Sequence, residues 1–141
     1  MPHSTDVAEQ ILQRLGPVPA IKLQKLVYYC QAWSLVWDDR SLVDDEFQAW
    51  ANGPVAPELY DRHRGQYEVA TVGGDPSRLD DVARETIESV IRFYGDKSSQ
   101  WLSDLTHSED PWRDARRETP PGARSNAVIT REAMAEYYSS L

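Results

Sequence analysis

The residues from Ile21 to Trp37 constrain this chain most, because they carry a helical pattern that is apolar on nearly every side. Leu23, Leu26, Val27, Cys30, Ser34 and Trp37 recur at three- and four-residue steps along one face. Tyr28, Tyr29, Ala32, Leu35 and Val36 fill much of the opposite face. A helix without a polar face must be surrounded, so the rest of the chain is expected to wrap it. Two cations, Lys22 and Lys25, stand near its start, where the helix dipole disfavours them. Carboxylates from elsewhere in the chain are expected to pair with them.

The flanking segments supply the wrapping. Ser4 or Thr5 can cap a first helix with Val7, Ile11, Leu12 and Leu15 on one side, and Gly16 ends it. Ser41 to Ala51 alternates apolar and polar residues and reads as a short strand or hairpin, followed by a turn at Asn52-Gly53-Pro54. Pro57 fits the first position of a short helix through Tyr60 and His63. Gly65 to Ser77 reads as an exposed loop with a short strand at Tyr67 to Val72. Leu79, Val82, Ala83, Ile87, Val90, Ile91 and Tyr94 mark an amphipathic helix ended by Gly95. Ser98 or Ser99 caps the next helix, with Trp101, Leu102 and Leu105. Asp110 is expected as the cap, and Pro111 as the first residue, of a helix through Arg117. Thr130 caps a last helix bearing Met134, Tyr137 and Tyr138. The expected fold is mainly α, about six helices with a small β-hairpin insertion, and one domain over residues 1–141.

Charge and motif chemistry narrow the function. A formal net charge of -8 argues against general nucleic-acid binding, which depends on Lys and Arg meeting phosphates. Arg113, Arg116 and Arg117 form the only dense basic cluster. No basic, apolar leader opens the chain and no segment nears the roughly 18 apolar residues of a membrane span, so a cytoplasmic protein is expected. Cys30, the lone cysteine, sits in the apolar run and reads as a small core residue. Thr106-His107-Ser108-Glu109-Asp110 could relay protons or bind a divalent ion, but three or four ligands are not in view. His3 falls in an expected loose tail, and His63 lies far along the chain. Helix-boundary bonding is the stronger reading of that cluster. With no nucleophile motif, and no phosphate-loop lysine beside Gly73-Gly74, neither an enzyme nor a cofactor or metal site is expected. The aromatic set Trp33, Trp37, Trp50, Tyr60, Trp101 and Trp112 should be mostly buried, with one or two left exposed as interface anchors.

Three ordered blocks then stand out. They are Lys22 to Trp33, Phe47 to Val55 followed by Pro57 and Tyr60, and Leu105-Thr106-His107 with Glu109, Pro111 and Trp112. With Ile129-Thr130 and Tyr137-Tyr138 they resemble the signatures of the Panacea, or SocA-like, antitoxin domain family. The matched positions are Lys25, Trp33, Trp50, Gly53, Pro54, Tyr60, His107, Glu109, Pro111 and Trp112, and about half are expected to be structural. The resemblance implies a mainly helical prokaryotic or phage domain, linked to phage defence, that serves as antitoxin of a type II system. Such a protein neutralises, by direct binding, a cognate toxin encoded by an adjacent gene. The family also contains a branch described as a proteolytic adaptor for a Clp-type protease. Many members carry an extra terminal segment for toxin recognition, whereas here the domain is expected to fill the chain. Toxin choice would then rest on a hairpin at Asp38 to Glu46 and on Tyr60 to Asp75. Asp38, Asp39, Asp44, Asp45, Glu46, Tyr60, Arg64 and Tyr67 are the candidate contacts.

Overall fold

The computed structural model describes residues 1–141 and places α2 (Ala20–Trp37) on the axis of the fold. Leu23, Leu26, Val27, Tyr28, Tyr29, Cys30 and Ala32 are all at most 1% exposed, as an all-round apolar helix requires. Around it pack α1 (Ser4–Leu15), α4 (Asp81–Tyr94), α5 (Ser99–Ser108) and α7 (Arg131–Ser139). Two short helices, α3 (Pro57–His63) and α6 (Asp110–Arg116), complete a set of seven where about six were expected. The buried apolar side chains form one contiguous core of 31 residues. Each large one in it contributes on the order of 1.5–3 kcal/mol relative to exposure. No helix is long and apolar enough to cross a membrane.

Helix ends follow their side-chain chemistry. The carboxylate of Asp80 accepts from the Ala83 N–H, and the hydroxyls of Ser98 and Thr130 accept from Trp101 and Ala133. Two expected caps move by one residue. α1 is capped at His3, whose N–H donates to Asp6, because the buried Ser4 already carries helical geometry. α6 is capped at Glu109, in extended geometry, so Asp110 is its first residue and Pro111 its second.

The strands are short and their register corrects the sequence reading. β1 (Val18–Pro19) pairs antiparallel with β4 (Glu68–Val69). β2 (Phe47–Trp50) pairs with β3 (Gly53–Val55) through Gln48↔Val55, Ala49↔Pro54 and Trp50↔Gly53, so the turn falls at Ala51-Asn52. Gly53 and Pro54 lie in a strand, not in the turn. An edge strand tolerates a proline, which has no N–H to donate. β5 (Val128–Ile129) closes the other side of β2. Asp38 to Glu46 forms no hairpin. Its backbone is held instead by the buried Gln31, whose Oε1 accepts from the N–H groups of Leu42 (2.8 Å) and Val43 (3.2 Å).

Candidate functional site

The start of α2, the β2–β3 hairpin, the end of α3 and the first turn of α5 surround an open cleft of about 1440 Å³. Family-block residues meet there. Lys25 forms part of its floor and Trp50 and Tyr60 one wall, with ring centroids 5.0 Å apart in an edge-to-face arrangement. His63 stands edge-on to the Tyr60 ring, and its Nε2 lies 2.9 Å from Nε2 of Gln24. The same glutamine accepts from the Ala56 N–H, so it fixes both ends of α3 against α2.

Lys25 is the unusual member of this group. It is 1% exposed, and its ammonium donates to the Pro54 carbonyl at 3.3 Å. Burial without a counter-ion pushes its pKa down to about 7. The expected carboxylate partners are therefore missing for both lysines. Lys22 donates to the Gly95 carbonyl at 2.7 Å, the free C-terminal end of α4, and makes no ion pair. The fold satisfies these cations with carbonyl oxygens, and Asp96 acts on Lys22 only through its field, without an ion pair.

The third family block is a buried lock. Glu109 is 5% exposed, and its Oε1 accepts from the hydroxyls of Tyr29 (2.7 Å) and Tyr138 (2.8 Å). Tyr138 also reaches the Tyr28 hydroxyl, so one carboxylate joins the central helix to the last. Burial raises the Glu109 pKa, and the two tyrosine bonds oppose that rise. His107 turns away from it and stacks on Trp112 at 4.1 Å, while the Trp112 indole donates to the Trp50 carbonyl. Burial and the nearby Lys25 lower the His107 pKa. His107 and Glu109 thus do not form a catalytic pair in this fold. Pro111 is buried in the first turn of α6.

Of the basic cluster Arg113, Arg116 and Arg117, the structure leaves the first and last exposed and buries Arg116. It is 3% exposed, lies 4.7 Å over the Trp112 ring, and donates to the carbonyls of Ala49, Pro120 and Ala123. Gln24, Gln31 and Arg116 are the organising residues that pattern alone did not single out. A glutamine inside an apolar helix, needing partners once buried, was the available signal.

The candidate contacts separate into used and free. Asp45 is buried and accepts from the N–H and hydroxyl of Ser4, at 2.7 and 2.5 Å, so it is no contact residue. Asp38 accepts from the Thr86 hydroxyl and Asp44 bonds His3, which ties down the supposedly loose tail. His3, Asp45 and Glu58 bring one ligand atom each within 4.8 Å of one another, but Asp45 is committed to Ser4. Asp39, Glu46 and Arg64 remain exposed, as does Tyr67 at 81%. Tyr60 is half-buried in the cleft wall, under the Arg64 guanidinium. Among the tryptophans, Trp37 and Trp101 are exposed at 51% and 42%. Trp37 stacks on Trp33, which donates to the Tyr94 hydroxyl at 3.0 Å.

Comparison with known proteins agrees with the three blocks. The profile of the family described as antitoxin SocA-like, Panacea domain matches residues 23–113. The antitoxin SocA of Caulobacter vibrioides (strain NA1000 / CB15N) is 30% identical over 137 aligned residues, covering 79% of this chain and 70% of the relative. No solved structure matches.

Proposed function

Because the chain belongs to the SocA-like Panacea antitoxin-domain family, we propose that it neutralises a cognate protein toxin by binding it directly, as the antitoxin of a type II pair. The observation that carries this reading beyond the family is the aromatic step at the end of α2. Trp37 stands half in solvent, braced by Trp33, with the exposed Asp39 two residues on. A rigid tryptophan with an acidic neighbour is a suitable anchor for a protein partner bearing basic residues. Catalysis is not part of the proposal, since His107, Glu109 and Cys30 are engaged in packing and hydrogen bonding. Cytoplasmic action on a toxin encoded next door is part of it.

Co-expression tests the reading. The adjacent gene product should arrest growth alone, be rescued by this protein and co-purify with it. Trp37→Ala should weaken that complex at least tenfold while leaving thermal unfolding nearly unchanged. A folded protein that neither rescues nor co-purifies overturns the reading. Rescue that disappears in a host lacking Clp protease would replace neutralisation by binding alone with the adaptor role.

A further inference from the structure

The cleft reverses the sign of the molecule. Lys22, Lys25, Arg64 and Arg124 line it and no Asp or Glu does, in a chain with 23 acidic residues against 15 Lys and Arg. None of the four cations belongs to an ion pair; the pairs of this fold are His3–Asp44, Arg14–Glu88, Arg40–Asp80 and Lys97–Asp96. Lys25 spends one N–H on Pro54 and has no other partner, although it is 1% exposed. A buried ammonium held so sparingly is costly unless an anion completes it.

Other donors face the same space. The Ser99 hydroxyl is buried on the cleft wall without a partner. The ten-residue helix α5 opens there, and Ser98 satisfies only the Trp101 N–H. The first-turn amides of Ser99 and Gln100 therefore remain for an anion, a position where helix dipole and free N–H groups act together. The edge-to-face pair Trp50 and Tyr60 adds an aromatic wall. We propose that this cleft binds a phosphorylated small molecule of nucleotide size, its phosphate oxygens taken by the lysine, serine and amide donors and its ring by the aromatic wall. A phosphate matches this donor set better than a single carboxylate, because it offers three oxygens and nearly two charges. This assignment does not depend on the antitoxin reading.

Isothermal titration of the purified full chain at fixed ionic strength tests it, with pyrophosphate, ATP and a hexaglutamate peptide as probes. Pyrophosphate and ATP should bind saturably, with ATP tighter, and each should raise the unfolding temperature. Binding should fall at least tenfold in Lys25→Met and in the exposed double variant Arg64→Ala/Arg124→Ala, both checked for folding by circular dichroism. The double variant keeps the test decisive if Lys25→Met perturbs the core. Absence of saturable binding by either phosphate compound to millimolar concentration overturns the proposal, as does binding that both variants leave unchanged. Binding of hexaglutamate but of neither phosphate compound also overturns it, and assigns the cleft to an acidic protein segment. Toxin rescue by the same variants is scored separately, so the two readings fail independently.

Discussion

Gly53 lies directly against the buried side chain of Lys25: a Cβ added to the glycine would stand 2.4 Å from the lysine Cε and 2.9 Å from Oγ1 of Thr106. Its φ of +118° is also one that side chains rarely adopt. The lysine Cε is the far end of a flexible side chain beside the cleft and can give way, so the backbone conformation carries most of the cost. Gly53→Ala should therefore cost about 1–3 kcal/mol, mainly from strain. Urea unfolding measures this, and a loss below about 0.5 kcal/mol would contradict the strained conformation.

Lys25 gives a pH signature of defined sign. An unfolded lysine holds its proton to about pH 10.4, whereas here burial lowers the pKa to about 7. Between those values the unfolded chain binds more protons, so stability rises with pH. Moving from pH 7 to 9 should add about 2–3 kcal/mol in the wild type. Lys25→Met should flatten that rise and be the more stable protein at pH 7. The window lies above the titration of His63 and His107, both lowered by burial, and below that of the strongly raised Tyr28, Tyr29 and Tyr138. Chemical denaturation at the two pH values decides it.

Glu109 has the opposite dependence. Its folded pKa is raised, so its contribution is fully present below the ordinary glutamate value and is lost as pH rises through the folded value. Glu109→Gln keeps an acceptor for Tyr29 and Tyr138 and should remove this slope at a cost of about 1 kcal/mol. Glu109→Ala leaves two buried hydroxyls short of an acceptor and should cost about 3 kcal/mol or more. Equal losses in the two variants would show that the tyrosines do not depend on this carboxylate.

Two aspartates in the same acidic stretch should behave differently. Asp45→Ala removes the buried acceptor for Ser4 and should destabilise by about 1–3 kcal/mol. Asp39→Ala changes an exposed side chain and should stay within about 0.5 kcal/mol. If Asp39 instead weakens toxin binding, it does so through contact. Thermal unfolding alongside a binding titration separates the two effects.

The wrapping of α2 was legible because period alone reveals an all-round apolar helix. The end of α4 at Gly95 and the caps of α5 and α7 at Ser98 and Thr130 stand where expected, while the Asp80 cap of α4 carried no such signal. The hairpin register was not legible. Gly53 and Pro54 have turn chemistry, but Gly53 is a glycine because of its φ of +118° within a strand packed against Lys25 and Thr106, neighbours far along the chain. The acidic stretch looked like a free surface for the same reason: its partners Ser4, Thr86 and Gln31 are distant in sequence. Within the third block, His107 and Glu109 are neighbours in sequence but not in their contacts. The break between α5 and α6 sends them in opposite directions, since Glu109 is extended where helix α5 ends. Periodicity reads faces, and only packing shows what each face meets.

The tyrosine–glutamate lock has a consequence for when the protein can work. Tyr138, which packs against Tyr28 and Tyr29, follows Tyr28 by 110 residues in the chain. At roughly 5–20 residues per second, the central helix waits on the order of 5–20 s for its last wall. Until that last helix docks, the central helix keeps an apolar flank in water, so only the finished molecule presents the folded surface.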